Sequence, residues 1–325
     1  MSKYQKISNK IEKIIINNPK DESKKVSWYN IVNAGRKELE YLRKNFNFDL
    51  AHLQASTAKV TSQRPITEVS RDYLFVILHF PTYENNSVKQ IRAGEIDFFV
   101  GHGYIVTLHN KNIKVLDDFF NSCKKDGNSM LSYQLESSAI VLYEILKKLM
   151  RENYRLLDAN SVEIEKVDQK IFSELAQKLN SEILSLKRNI LNIRKIIQSH
   201  KNILKRLMSM KSSIVPRNEL KKYYTELVDH SKRIWEITDN QKEHIDALYT
   251  TNESMMNFRI TNIMKILTIF SVVVLPLNLL ASIFGMNFTN GMPFIGIENG
   301  FWLVIILMSA SSLAILLYFF KKRWI

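Results

Sequence analysis

Ile266-Leu267-Thr268-Ile269-Phe270-Ser271-Val272-Val273-Val274-Leu275-Pro276-Leu277-Asn278-Leu279-Leu280-Ala281-Ser282-Ile283-Phe284-Gly285-Met286 decides the architecture of this chain. These 21 residues carry no charged side chain. A helix needs about 20 apolar residues to cross the hydrocarbon core of a bilayer. Phe301–Phe320, 20 residues long, is also free of charge. Two such spans close together form a hairpin, with both ends on one side of the membrane. The competing reading is a pair of buried helices in a soluble protein, but those rarely run this long without charge.

Orientation follows from lysine and arginine, which accumulate on the cytoplasmic side. Arg259 and Lys265 precede or open the first span, and Lys321, Lys322 and Arg323 follow the second. The connection Phe288–Gly300 has no basic residue and one acid, Glu298. Both termini are therefore expected in the cytoplasm of a multi-pass protein of the plasma or inner membrane, with the connection outside. Residues 1–25 are polar and lysine-rich apart from Ile14, Ile15 and Ile16, so no signal peptide is expected there.

The first span is not uniformly apolar. Ser271, Asn278 and Ser282 are spaced seven and four residues apart, which puts them on one helical face. Met264, Leu267 and Leu275 extend that stripe. Polar groups are costly in hydrocarbon and face protein or water. The stripe reads either as helix-packing contacts or as the wall of a pore. One hairpin cannot enclose a pore, so the second reading requires several copies of the chain. The second span, interrupted only by Ser309, Ser311, Ser312 and Tyr318, reads as the lipid-facing helix.

The 325 residues carry a net charge of +14, of which +11 falls on residues 1–259 and +3 on the remainder. No zinc-finger spacing or RNA-binding aromatic signature accompanies this charge, so nucleic acid is not expected as a partner. Cys123 is the only cysteine, which rules out an internal disulfide and a cysteine-based zinc site. No nucleotide-binding loop or nucleophile–base arrangement suggests an enzyme.

Residues 1–125 read as a mixed α/β domain. Strand patterns cover Val26–Ile31, Asp72–Phe80, Glu95–Val100 and Tyr104–His109, with a hairpin signal at Gly101-His102-Gly103 and a helix over Arg36–Asn45. Residues 126–259 read as helical and residues 260–325 as the two-helix membrane domain. Apolar residues recur at three- and four-residue spacing over 131–175 and 180–212. The second of these segments is basic, with Lys187, Arg188, Arg194, Lys195, Lys201, Lys205 and Arg206; its default reading is a solvated face, the alternative a pairing with acids of a neighbour. After Pro216 no proline or glycine occurs until Pro276, which predicts one helix from about Asn218 to Met286. Along it runs the seam Leu220, Tyr224, Leu227, Ser231, Ile234, Thr238, Gln241, Ile245, Leu248, Asn252, Met255. A dry coiled coil would not carry so many polar residues there; the spacing suggests helices gathered around a wet axis.

Phe284-Gly285-Met286-Asn287-Phe288 closes the first span. Gly-Met-Asn at this place resembles the signature of the CorA family of divalent-cation channels. The resemblance extends to Met264-Lys265-Ile266-Leu267-Thr268, to Pro276-Leu277, to Met292-Pro293 and to Lys321-Lys322-Arg323-Trp324. It also takes in Gln63-Arg64-Pro65 ahead of Asp72-Tyr73-Leu74-Phe75, and so spans essentially the whole chain.

The resemblance implies a homopentameric α+β membrane protein: a cytoplasmic α/β domain, a long helical stalk and two C-terminal spans. It implies that Gly285, Met286 and Asn287 form a selectivity filter at the outer mouth. Thr261, Met264, Leu267, Ser271, Leu275, Asn278 and Ser282 would line the pore below, and Lys265, Lys321, Lys322 and Arg323 would form a basic collar. The expected cargo is hydrated Mg²⁺, with no organic cofactor. Mg²⁺ gives up water reluctantly, so a ring of neutral amide oxygens suits it better than a carboxylate cage. Met264 and Leu267 would gate by dewetting, and intracellular Mg²⁺ at Glu226 and Asp229, partnered by Glu84, would hold the channel closed. The chain departs from the family pattern at Phe294-Ile295 after Met292-Pro293, where many members carry an acid and leucine, and at Thr250, where some carry an acid. Transport of Zn²⁺, Co²⁺ or Ni²⁺ is the alternative, although the seven histidines do not cluster. A non-conducting membrane scaffold is the third reading, and a polar ring at Asn287 argues against it.

Overall fold

The computed structural model describes residues 3–18, 21–57, 64–83, 90–110, 113–125, 137–172, 176–210, 214, 221–287, 293–294, 297–322 and 324. The chain divides into two compact units, Met1–Ile171 with Lys178–Tyr249, and Phe172–Gln177 with Thr250–Ile325.

The first unit is built on a seven-stranded sheet in the order β1-β2-β3-β7-β6-β5-β4. Its strands are β1 (Lys3–Lys6), β2 (Ile11–Asn18), β3 (Asp21–Val32), β4 (Ile66–Val69), β5 (Tyr73–Tyr83), β6 (Ile91–Gly101) and β7 (Tyr104–His109). Neighbours are antiparallel except the parallel pair β3–β7. Gly101 pairs with Tyr104, so the glycine-flanked turn is a tight His102-Gly103 reversal, and Gly103 takes a left-handed φ of 74°.

The sheet is covered on both faces, which is why β5 reads as a continuous apolar run rather than an alternating one. Leu74, Val76, Leu78 and Phe80 join one core with α3 (Lys114–Lys125), α4 (Ser138–Lys170) and α6 (His200–Ser209). Tyr73, Phe75 and Ile77 face the other way, toward a second core with Leu42 of α1 (Arg36–Phe46) and Leu53 of α2 (Leu50–Ala55). The Ser138 hydroxyl donates to the Gly101 carbonyl at 2.6 Å and ties the start of α4 to the end of β6.

The segment read as one helix over 180–212 is two, α5 (Ala176–Ile197) and α6, separated at Gln198-Ser199. The break brings His200 into the core, where Nε2 donates to the His79 carbonyl at 2.7 Å. Burial lowers the pKa of this ring to about 4, so it is neutral there.

The long helix α7 runs Lys221–Phe284 without interruption, Pro276 included. From Tyr224 to Leu248 its polar seam does not line a wet axis; farther on, Asn252 is buried with neither amide atom hydrogen-bonded to a described residue. Tyr224, Leu227, Ser231, Ile234, Thr238, Gln241, Ile245 and Leu248 are all buried within the single chain. Their partners are α4 and α5. The Tyr224 hydroxyl donates to the Ala139 carbonyl at 3.0 Å. Gln241 donates to the Leu157 carbonyl at 2.8 Å and accepts from the Asn160 amide at 3.1 Å. The Thr238 hydroxyl bonds back to the Ile234 carbonyl at 2.8 Å. Each buried amide left unpaired would cost about 1–3 kcal/mol, so these bonds let polar groups stand in a packed seam. Farther along, Ile245 and Leu248 pack with Ile164, Val167, Ile183 and Ile190 of α4 and α5. The basic face of α5 is likewise used internally: Arg194 pairs with Asp239, and Lys187 with Asp246 at 2.7 Å.

In the second unit the rest of α7 is followed by α8 (Gly300–Lys321). Both carry windows long and apolar enough to cross a membrane, and those windows are almost wholly exposed, 0% and 6% buried. An exposed helix that is apolar on most of its surface requires lipid or further copies of the chain to cover it.

Candidate functional site

The stripe foreseen on the first span lies along this exposed part of α7. Thr261, Met264, Leu267, Leu275, Asn278 and Ser282 are exposed, and Ser271 is half-buried. The hydroxyls of Thr268 and Ser271 bond back to the carbonyls of Met264 at 2.7 Å and Leu267 at 2.9 Å. Such bonds let a hydroxyl sit in a helix without water. Asn278, Ser282 and Asn287 are different: among the described residues none of them has a hydrogen-bond partner. An unpaired amide in hydrocarbon costs several kcal/mol, roughly 4–8 on a cyclohexane scale. These side chains therefore belong where water, an ion or another chain meets them.

The helix stops at Phe284. The Gly285 amide still donates to the Ala281 carbonyl at 2.9 Å, and the Met286 amide to the Ile283 carbonyl at 3.3 Å. Asn287 follows, exposed. Gly103, and not Gly285, is the glycine with positive φ among the described residues, so Gly285 does not supply a left-handed cap. A Cβ on it would lie 3.0 Å from the Ala281 carbonyl, so its role is close approach of the last helical turn.

Beside this end is a cavity of about 410 Å³, lined among others by Phe284, Gly285, Pro293, Phe294, Phe301 and Met308. The departure from the family pattern at Phe294 has a structural use. Its ring lies 6.4 Å from that of Phe284, and its backbone takes φ 72°, uncommon for a non-glycine residue. Its carbonyl leaves 2.3 Å for any Cβ at position 300, which is glycine.

Of the basic residues, Lys265 is half-buried on α7, Lys321 is the last residue of α8, and Lys322 caps it with its amide on the Tyr318 carbonyl at 3.1 Å. Positive charge at a helix C-terminus complements the helix dipole. Arg323 lies outside the described residues, and so does Glu84.

Glu226 is engaged rather than free. Its carboxylate accepts from the Tyr143 hydroxyl at 2.5 Å, pairs with Lys147 at 2.9 Å and has His230 at 3.5 Å. The Tyr143 bond is the largest cause that lowers its pKa, to about 2; burial, next in size, opposes it, and Lys147 and His230 add to the lowering. Tyr143 and Lys147 stand one turn apart on α4; that spacing was the available signal for these partners, which the sequence reading missed. Asp229 pairs with Lys232 at 3.1 Å on the same helix. Among the described residues no group of three or more histidine, cysteine, aspartate or glutamate side chains is gathered to hold a metal ion.

Comparison with known proteins agrees with this arrangement. The chain is 22% identical over 307 residues to the cobalt/magnesium transport protein CorA of Thermotoga maritima, covering 94% of this chain and 86% of that one. It is 22% identical over 304 residues to the protein of the same description in Methanocaldococcus jannaschii, covering 94% and 93%. The solved complete structure of the CorA magnesium transporter from Methanocaldococcus jannaschii superposes with a TM-score of 0.81 at 20% identity, over 97% of this chain and 96% of that one. The α/β first unit, the long helix and the two apolar C-terminal helices are thus the CorA fold. The family described as CorA-like Mg2+ transporter protein matches residues 23–323, and this chain belongs to it.

Proposed function

We propose that this chain is the subunit of a homopentameric channel that passes hydrated Mg²⁺ across the cell membrane. The observation that carries this reading is the row of unpartnered polar side chains on α7, ending in Gly285-Met286-Asn287. Five copies of Asn287 would offer neutral oxygens to the water shell of an ion that dehydrates reluctantly. Thr261, Met264, Leu267, Ser271, Leu275, Asn278 and Ser282 would line the path. Met264 and Leu267 would form the dry constriction, and Lys265, Lys321, Lys322 and Arg323 the basic collar at the inner face.

Regulation by cytoplasmic Mg²⁺ belongs to the same proposal, with Glu226, Asp229 and Glu84 as the sensing acids. At Glu226 the ion would have to compete with Lys147 and Tyr143, so binding there would loosen the contact between α4 and α7. Residues 1–125, 126–259 and 260–325 would then serve as cytoplasmic domain, stalk and pore.

Flux into liposomes tests the cargo. The purified chain is expected to admit Mg²⁺ faster than Zn²⁺ at equal concentration, with Co²⁺ and Ni²⁺ as competitors. Zn²⁺ uptake without Mg²⁺ uptake would replace this reading by the zinc one.

Orientation is tested separately. A cysteine at Glu298, exposed in the connection, is expected to react with an impermeant maleimide on intact cells, and one at Lys322 only after permeabilisation. The opposite pattern would place both termini outside.

A further inference from the structure

Glu95 and Asp97 are two residues apart on β6, so both side chains leave the same face of the sheet. They are buried, 6% and 2% exposed. Phe75, Ile77 and Phe99 fill the same face toward the Gly101 end of β6. Beside the two acids the packing gives way to a cavity of about 120 Å³, whose lining includes Ser56, Thr57, Glu95, Asp97, His109 and Asn110. Its wall is mainly polar. A cavity of this size has room for an ion and several waters.

The two carboxylates are unequally satisfied. Glu95 accepts from His79 Nε2 at 2.9 Å. Asp97 Oδ1 has no hydrogen-bond partner, although it is fully buried. Burial first, and Glu95 second, push the Asp97 carboxyl well above the usual carboxylate range, and only the Ser56 hydroxyl acts the other way. Two acids facing one cavity repel each other and need a positive charge or a proton. A proton on Asp97 relieves the repulsion and can be shared with Glu95 or Ser56, but it leaves the polar cavity beside Asp97 Oδ1 unused. A cation satisfies both groups at once.

The donors present define the kind of cation. They are carboxylate and hydroxyl oxygens. The nearby histidines are occupied: His79 Nε2 donates to Glu95, and His109 donates from Nδ1 to the Asn110 carbonyl at 2.9 Å with its Nε2 turned to the Asn30 side chain at 3.0 Å. Soft or nitrogen-seeking metals find no free ligand here, whereas Mg²⁺ binds through one or two carboxylates and keeps much of its water.

We propose that Asp97 and Glu95 hold one hard divalent cation in this cavity, with the Ser56 hydroxyl and water completing its shell. The site is distinct from the sensing acids Glu226 and Asp229 and from the pore. Ser56 closes the C-terminus of α2, so the ion would fasten α2 to β6 and make the stability of this part of the sheet depend on cytoplasmic Mg²⁺.

Mn²⁺, counted by electron paramagnetic resonance on the purified full chain in detergent, is the probe. The parent is expected to bind one Mn²⁺ per chain more than Asp97→Asn or Glu95→Gln, and excess Mg²⁺ is expected to displace it. Mg²⁺ should raise the melting temperature of the parent more than that of Asp97→Asn. An unchanged Mn²⁺ count together with an unchanged Mg²⁺-dependent rise would overturn the proposal and leave Asp97 as a buried structural acid. Ser56→Ala keeps both acids and guards against misfolding of the acid variants. It should weaken this Mn²⁺ site about tenfold or more, and an unaltered affinity would equally overturn the site. Asn287→Ala should leave this site intact, so the outcome here and the outcome for the pore are read independently.

Discussion

Asn287→Ala is expected to lower Mg²⁺ flux at least about tenfold while leaving assembly and expression unchanged. Hydrogen bonds to charged species are worth about 1.5–3 kcal/mol each, and 1.4 kcal/mol is a factor of ten. In a ring of five, every subunit would lose its amide oxygen together. Asn287 is exposed, lies beyond the end of α7 and bonds to no described residue, so its removal takes nothing from the packing of the chain. Asn287→Gln, which keeps the amide but moves it outward by one methylene, should retain part of the flux. Normal flux in the alanine variant, measured on pentamer-sized fractions in liposomes, would refute the filter.

How much of this could be read from the sequence depended on whether one segment was sufficient to define its own environment. The membrane helices were legible because a run of 20 or more residues without charge has one common explanation; α7 and α8 end within two residues of where the charge pattern puts them. Strands β5, β6 and β7 were legible for a related reason. Covered on both faces, they are mainly apolar, Glu95 and Asp97 of β6 being the chief exceptions, and Gly101-His102-Gly103 marks the β6–β7 turn. Strands β1, β2 and β4 were missed. Two are only four residues long, and β2 mixes Ile11, Ile14 and Ile16 with Glu12 and Lys13 near the edge of the sheet. Helix α3 could have been found: Leu116, Phe119, Phe120 and Cys123 are spaced for one buried face.

The seam of α7 shows a different limit. Its spacing says that one face is covered, and it says so correctly. It does not say by what. A seam packed on a symmetry-related copy and a seam packed on α4 of the same chain have the same period, and polar residues are admitted by either, through water in one case and through bonds such as Gln241 to Leu157 in the other. The pairing of Arg194 with Asp239 and of Lys187 with Asp246 is of the same kind. The acids of the cavity beside β6 were hidden altogether, since Glu95 and Asp97 only meet Ser56 once α2 has docked on the sheet.

Leu267→Asn is expected to give a channel that conducts at cytoplasmic Mg²⁺ concentrations that close the parent. Met264 and Leu267 are one helical turn apart, and both are more than half exposed, 57% and 58%. In a pentamer arranged around the stripe they would form two adjacent apolar rings. A narrow apolar ring expels water, and an ion that travels with its hydration shell cannot cross a dry segment. The barrier then depends on the polarity of the ring more than on its width. Asparagine keeps the branched four-atom skeleton of leucine in a smaller side chain and holds water, so the barrier falls with little change in the helix geometry. Leu267→Met, apolar and of similar volume, should remain regulated. The Leu267 carbonyl already accepts from the Ser271 hydroxyl, so neither change removes a backbone contact. If Leu267 instead packs between helices, asparagine weakens assembly and the methionine variant behaves as the parent. Size-exclusion of each variant before the flux measurement separates the two cases. An asparagine variant that assembles normally and conducts no more than the parent moves the hydrophobic gate away from Leu267, with Met264, one turn nearer the start of α7, as the remaining ring on the stripe.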